Sequence, residues 1–281
     1  MFTTMNNSNL LNFFKMSALG NDFVIFDFRK SDFNFTTKQI KKISDRKNIG
    51  CDQLIIIRSP KNPIFFNPKT QENHKINLEM EIYNCDGSRT PACGNATRCV
   101  AGFIFEEQQD LKTIFIETLA GILECKKLAD NLISVNMGKV KFLENFVFEN
   151  YSFNSVDVGN PHAICFLNHA IDDETFFYLG PKIENHPNFP NKTNVEFAQI
   201  INNELIEVRV WERGVGETLA CGSGACGVVV TAIKNNLVNS NNITVRFRGG
   251  KLKIEYLNNE AIMTGDYQKT FTGEISEKFI Y

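Results

Sequence analysis

Two near-identical turns, Ala92-Cys93-Gly94-Asn95 and Ala220-Cys221-Gly222-Ser223, stand in opposite halves of a 281-residue chain. The residues around them repeat as well. Tyr83-Asn84 stands nine residues before Cys93, and Trp211-Glu212 nine residues before Cys221. Upstream, an apolar strand begins at Asn21 (Asn21-Asp22-Phe23-Val24-Ile25-Phe26) and another near Asn160 (Asn160-Pro161-His162-Ala163-Ile164-Cys165-Phe166). Gly50 to Ile57 is then matched by Asn194 to Ile201, each a loop feeding a strand. The order of elements is the same in both halves, which predicts an internal duplication with roughly 130 residues per copy, enough for each to bury its own core.

Most of the periodic segments read as strands: Asn21 to Phe28, Leu54 to Arg58, Ile76 to Tyr83, Thr113 to Glu117, Ile122 to Lys126, Leu132 to Met137, Ile164 to Leu167, Leu205 to Trp211, Ile243 to Phe247 and Lys251 to Tyr256. Alternation is plain in Leu78-Glu79-Met80-Glu81-Ile82 and Glu207-Val208-Arg209-Val210-Trp211. The segments after the two cysteines differ. Cys93 to Phe105 and Cys221 to Lys234 are small and apolar with helical spacing and no polar stripe, so they read as helices enclosed by sheet. Each repeated cysteine therefore falls at the N-terminus of a buried helix. Unpaired backbone N–H groups and the helix dipole favour negative charge there, whether a thiolate or a bound carboxylate. Such a setting is expected to lower a cysteine pKa into the range of about 3.5 to 7.5. Gly94 and Gly222 leave room for a ligand against the backbone.

Composition excludes several other classes. A net charge of −2 and the absence of like-charge blocks give no basis for a nucleic-acid or anionic-membrane partner. No apolar run reaches the roughly 20 residues of a membrane span. Met1 to Phe14 is asparagine-rich without a basic n-region, so a flexible extension over residues 1–12 is expected rather than a secretory signal. Eight cysteines are too sparse in this length for a disulfide scaffold, and Cys51, Cys85, Cys125 and Cys165 are scattered among strand-like segments. A reduced, cytoplasmic protein follows. Cys93 to Cys99 and Cys221 to Cys226 are not C-x2-C pairs, and His74, His162, His169 and His186 are dispersed, so neither a metal nor a redox motif is indicated.

The longer motifs resemble one family. Lys15-Met16-x-x-Leu19-Gly20-Asn21-Asp22-Phe23, Tyr83-Asn84-x-Asp86-Gly87-Ser88, Cys93-Gly94-Asn95, Gly159-Asn160-Pro161-His162, Glu212-Arg213-Gly214-x-Gly216-Glu217-Thr218 and Ala220-Cys221-Gly222-Ser223-Gly224 look like those of diaminopimelate epimerases, from about Lys15 to the C-terminus. The resemblance implies an α/β (α+β) fold of two pseudo-symmetric domains, each a curled, mostly antiparallel sheet around a central helix, with the site in the cleft between them. The boundaries it suggests are 13–121, completed by 267–281, and 122–266.

It further implies epimerisation of LL- to meso-2,6-diaminopimelate without pyridoxal phosphate, metal or other cofactor. Cys93 and Cys221 would be the acid/base pair. His162 and Glu212 would adjust their protonation, with Glu212 also meeting the α-ammonium. Gly94-Asn95 and Gly222-Ser223 would bind the reacting carboxylate, while Asn21, Gln53, Asn84, Asn160, Asn194 and Arg213 would line the pocket, Arg213 clamping the distal carboxylate. The chemistry fits independently: inverting a Cα–H centre without a cofactor needs a base on one face and an acid on the other, and two thiols from duplicated domains meet that need. Taken singly, His162 also reads as a hydrogen-bonded strand residue, the asparagines as turn formers, and Cys99 and Cys226 as packing. Ser17-Ala18, Arg89-Thr90-Pro91 and Ala96 depart from the family pattern, as does Phe271 where the family carries a dimer-interface tyrosine. A homodimer is still expected. The runner-up is a two-cysteine racemase of the proline or hydroxyproline type, followed by a cysteine-based metal or redox protein or a non-catalytic binding protein of the same fold.

Overall fold

A computed structural model describes residues 10–280. The first repeat runs β1 (Leu10–Ala18), β2 (Asn21–Asp27), α1 (Thr37–Ser44), β3 (Gln53–Arg58), the hairpin β4 (Ile64–Asn67) and β5 (Glu72–Lys75), β6 (Leu78–Asn84), β7 (Arg89–Thr90), α2 (Gly94–Glu107), β8 (Thr113–Thr118), β9 (Gly121–Ala129) and β10 (Leu132–Gly138). The second runs β11 (Lys141–Phe142), β12 (Phe146–Phe148), β13 (Tyr151–Asp157), β14 (Pro161–Leu167), α3 (Asp173–Glu184), β15 (Asn194–Asn202), β16 (Leu205–Glu212), β17 (Gly216–Thr218), α4 (Gly222–Lys234), β18 (Asn242–Phe247), β19 (Gly250–Leu257) and β20 (Glu260–Asp266). The chain closes with β21 (Gln268–Ser276) and α5 (Glu277–Ile280).

Pairing makes the duplication explicit. In the first half β1 and β2 are antiparallel, β2 and β3 parallel, β3 and β6 antiparallel, β6 and β8 parallel, and β8 and β9 antiparallel. The second half repeats that sequence of senses through β13, β14, β15, β16, β18 and β19. β10 and β20 join the halves edge to edge in antiparallel register, and β21 returns to pair with β1. Through β1, residues 268–276 join the sheet of the first half. The sheet is nevertheless continuous through residue 121, because β9 pairs with β8 on one side and β10 on the other. Of the extension expected at residues 1–12, residues 1–9 lie outside the described residues, while Leu10 to Asn12 pair with Ser276 to Glu274.

Each half has two apolar layers, set by strand alternation. On β2 and β3, Phe23, Ile25, Ile55 and Ile57 face inward to the core around α2, while Val24, Phe26, Leu54 and Ile56 face outward to a second core under α1. Strands buried on both faces read as unbroken apolar runs, which is why Leu54-Ile55-Ile56-Ile57 shows no alternation. β14, β15 and α3 repeat the plan with Ala163, Cys165, Val195 and Phe197 in the outer layer. The inner layers of both halves, with α2 and α4 at their centres, form one continuous core.

α1 and α3 are absent from the strand-dominated reading of the sequence, and they are the amphipathic covers of the outer layers. α1 begins with a capping box: Thr36 Oγ1 accepts from Gln39 N at 3.3 Å, and Gln39 Oε1 accepts from Thr36 N at 2.7 Å. Replacing Thr36 by Ala is expected to destabilise the protein by about 1 kcal/mol without changing the catalytic constants of the folded enzyme, checked by denaturant titration alongside activity.

Candidate active site

Cys93 and Cys221 are the N-cap residues of α2 and α4, both extended (φ −147° and −130°) immediately before the helix begins at a glycine. Cys221 Sγ accepts from Gly224 N at 3.4 Å and lies 3.5 Å from Ser223 Oγ. The two helix N-termini abut. A Cβ on Gly222 would stand 3.7 Å from Gly94 Cα and 2.8 Å from Met263 Sδ, and a Cβ on Gly94 would stand 2.7 Å from Met263 Cε. Glycine is required here by closeness of approach rather than by backbone dihedral. Two sets of unpaired N–H groups thereby open into one cleft of about 320 Å³, lined by both cysteines.

The sequence candidates converge on that cleft from homologous places in the two halves. Asn21 opens β2 and Asn160 immediately precedes β14; Gln53 opens β3 and Asn194 opens β15; Asn84 ends β6 and Glu212 ends β16. Gly94, Asn95, Gly222 and Ser223 form its floor and Arg213 part of its wall. Asn95 Nδ2 donates to Asn21 Oδ1 at 2.6 Å, and Gln53 Nε2 donates to Asn84 Oδ1 at 3.1 Å. Asn194 has both amide ends engaged within the wall, donating to Pro161 O at 2.9 Å and accepting from Arg213 N at 3.0 Å. His162 does not line the cleft: it is fully buried behind it, with Nε2 3.0 Å from Asn160 Oδ1 and Nδ1 2.7 Å from Glu196 Oε1. Phe271 lies elsewhere, exposed on β21 and edge-on to Phe13.

Three groups beside the cleft escaped the sequence reading. Glu196 on β15 is fully buried, and its Oε2 has no hydrogen-bond partner among the described residues. Its only sequence cue was a charge in an otherwise apolar run. The ligand atoms of His162, Glu196 and Cys221 lie within 4.8 Å of one another, but both ring nitrogens are already hydrogen-bonded, so the trio is a hydrogen-bonded cluster rather than an ion cage. Arg98, one α-helical turn into α2, is the largest fully buried side chain. It donates to Asn95 Oδ1 at 2.8 Å and Asp266 O at 3.1 Å and forms no ion pair among the described residues. On the rim, Asp22 is held by Lys15 at 2.5 Å and by Arg46 at 2.7 Å, pulling its carboxyl down to about 2 against the opposing effect of burial. Arg46 also pairs with Asp52, and the carboxylates of Asp22 and Asp52 each accept from the other's backbone N–H at 3.0 Å, fixing the strand ends that carry Asn21 and Gln53.

The expected depression of the cysteine pKa values is overturned in the empty cleft. Burial pushes the Cys93 thiol up to about 11, with the Glu212 charge adding to the effect and N–H donors from Ala96 and Asn95 opposing it. Cys221 is raised well above the ordinary thiol value, again by burial first and then by Glu212 and Glu196. Helix N-termini do favour a thiolate, but here desolvation outweighs them. Burial also raises Glu212, although Thr218 Oγ1 donates to its Oε1 at 2.5 Å.

A family model described as diaminopimelate epimerase matches residues 13–143 and 154–270. The chain belongs to the diaminopimelate epimerase family. It is 42% identical over 248 residues to the diaminopimelate epimerase of Pelagibacter ubique, spanning 80% of this chain and 84% of that one. It is 35% identical over 290 residues to that of Acinetobacter baumannii, spanning 96% and 99%. Among solved structures, a hydroxyproline epimerase from Agrobacterium vitis superposes with a TM-score of 0.71 over 97% of this chain and 94% of its own, at 12% identity. A Bacillus anthracis PhzF-family phenazine biosynthesis protein does so with a TM-score of 0.67 over 95% and 99%, at 13% identity. Those two likenesses establish the fold, in which the diaminopimelate epimerase family shares its two-repeat architecture with other proteins.

Gly222→Ala is expected to drive the helix N-termini apart at Met263 and lower kcat/KM by about 100-fold or more while the protein stays folded, since small misplacements of positioning groups carry such costs. Adding Met263→Ala to that variant removes the clashing sulfur and is expected to restore part of the loss. A double variant no better than Gly222→Ala would contradict the contact.

Proposed function

We propose that the protein interconverts LL- and meso-2,6-diaminopimelate by a two-base proton transfer at Cα, using Cys93 and Cys221 as the two bases. The observation that carries this reading is the convergence of two N-cap thiols and four backbone N–H donors, from Gly94-Asn95 and Gly222-Ser223, on one cleft. A substrate α-carboxylate seated between the helix N-termini would receive the charge that develops as the Cα proton leaves, in a site already organised for it. One thiolate takes the proton from one face, and the opposite thiol returns one to the other face. Glu212, raised by burial and close to both cysteines, is placed to meet the α-ammonium. That ammonium would offset the Glu212 charge that helps to raise both thiols, so the thiolate forms with substrate rather than before it. The Arg213 side chain on the wall suits the distal carboxylate.

The family's sequence likeness over most of the chain favours this substrate over a proline-type one. Among the described residues no helix is long and apolar enough to cross a membrane. We further infer a cytoplasmic enzyme of lysine synthesis that supplies meso-diaminopimelate for peptidoglycan, with a duplicated two-domain chain and no nucleic-acid or membrane partner. We infer a homodimer contact on the exposed face of β21 around Phe271, a strand that pairs only with β1 among the described residues.

Wild type in deuterium oxide is expected to epimerise LL-diaminopimelate with incorporation of solvent deuterium at Cα, and Cys93→Ala and Cys221→Ala each to lose epimerisation. An inert wild type would discard the substrate and bring proline derivatives forward. Free lysine, which lacks the distal carboxylate, is expected to show kcat/KM at least about 10⁴-fold lower, because buried polar groups built for a missing partner reject the analogue strongly. The pKa displacement gives a separate check. In the substrate-free protein Cys93 is raised, so it stays protonated at neutral pH and is alkylated by iodoacetamide with a midpoint near pH 11; a midpoint below 9 would overturn the desolvation account.

A further inference from the structure

The two halves share one order of strand pairings, yet their cysteines face different chemistry. His162 pairs with Asn194 and Ile164 with Glu196 in the β14–β15 ladder, while Phe23 pairs with Gln53 and Ile25 with Ile55 in the β2–β3 ladder. His162 and Glu196 thus occupy the positions held by Phe23 and Ile55 in the first half. All four side chains are fully buried, so the difference is one of chemistry and not of exposure. The helix has adapted as well. A Cβ on Gly224 would stand 2.5 Å from Glu196 Oε1, whereas the corresponding residue of α2 is Ala96. A buried carboxylate with an unpartnered oxygen and a buried histidine were therefore accommodated beside Cys221 alone, at positions where the first half shows that plain apolar packing suffices.

The two-base reaction creates a need that this asymmetry meets. Each turnover moves one proton from substrate to a thiolate and another from the opposite thiol to product, so the cysteines finish with their protonation exchanged. Before the next substrate of the same configuration can react, one thiol must lose a proton and the other gain one. Both cysteines line the cleft, but Cys93 is the more exposed residue of the two and Cys221 is only 6% exposed.

We propose that Glu196 and His162 form a one-proton reservoir that restores the protonation state of Cys221 between turnovers, a role that rests on the two-cysteine mechanism above. With Nε2–H donating to Asn160 Oδ1, the 2.7 Å contact between His162 Nδ1 and Glu196 Oε1 must hold one proton. When Cys221 ends a turnover as thiolate, that proton passes to Sγ and leaves imidazole and carboxylate. Water protonates the pair again, and Cys93 returns its proton to water, so the sum is zero. In the opposite direction the same transfers run in reverse. The charged or titratable groups facing Cys221 are Glu196 from β15, His162 from β14 and Glu212 from β16, with Ser223 Oγ and Gly224 N from its own helix.

The test is Glu196→Gln, which keeps a hydrogen-bonding side chain but cannot cycle a proton. A slow reset limits turnover only when substrate is saturating, because at low substrate the free enzyme re-equilibrates. The expected result is a fall in kcat and KM together by about tenfold, with kcat/KM within a few-fold of wild type. The lost kcat should return as imidazole buffer is raised at fixed pH, while wild type ignores buffer concentration. A fall in kcat/KM equal to that in kcat with no buffer rescue, or no change in either constant, would overturn the proposal. If Glu196→Gln fails to fold, Glu196→Asp, which shortens the carboxylate away from His162, is read in the same way. A substrate-free measurement runs beside it: the pH midpoint of Cys221 alkylation should move down in Glu196→Gln, since the carboxylate that opposes its thiolate is gone, while that of Cys93 stays in place. An unmoved Cys221 midpoint counts against the reservoir. A wild type inert toward diaminopimelate would instead discredit the substrate assignment, and the kinetic comparison would pass to whichever amino acid the wild type epimerises.

Discussion

Two helices with their positive ends almost touching define this molecule. Like ends of helix dipoles repel, and the approach at Gly94 and Gly222 is tolerable only because glycines and the single side chain of Met263 occupy the gap. The rest of the fold is arranged to hold the helices there. Each is wrapped by its own sheet, the sheets are joined by the β10–β20 seam, and the inner cores fuse into one. Beneath the junction lies Arg98, a fully buried cation in no ion pair among the described residues, which adds further positive charge to an already positive place. Burial pulls its pKa down, and its guanidinium is hydrogen-bonded to carbonyl, amide and sulfur partners. Two positive helix ends and a buried guanidinium so close together suit an anion in the cleft.

That arrangement bears on the protonation of the thiols. Burial raises both cysteines more than the helix ends lower them. In the two-base mechanism proposed above, the substrate carboxylate would occupy the N–H groups and its ammonium would offset the Glu212 charge. Preorganisation and restraint come from the same contacts.

The duplication, the cleft and most of its lining were legible because they depend on local patterns: a turn that must be Cys-Gly, a strand that must end in an amide or carboxylate at a fixed distance from it. Nearly every strand named from alternation or apolar runs is present, with ends shifted by one to three residues. What was missed depends on contacts distant in sequence. α1 and α3 are short covers whose periodicity is hidden among polar residues, and β21 is a strand only because β1 is available beside it. Glu196 looked like an interruption in Asn194-Val195-Glu196-Phe197, since its meaning lies in His162, thirty-four residues earlier. The cysteine pKa shifts were misjudged for a related reason. A helix N-terminus is visible in sequence, but the depth at which it is buried is not.

The β1–β2 turn has a consequence for traffic through the cleft. Leu19 and Gly20 both adopt positive φ, and this turn from the first half is pressed against the second, with Gly249 so close to the Leu19 carbonyl that a Cβ there would stand 2.3 Å from it, and Gly20 equally tight against Leu219. Leu219 is two residues from Cys221, and the rim residue Asn21 follows Gly20. The clasp between the halves and the chemistry therefore share one short stretch of chain on each side. A molecule large enough to need the turn displaced would unseat Asn21 and the Cys221 turn as it entered, so the size of what reaches the thiols is set by the same contacts that hold the two halves together.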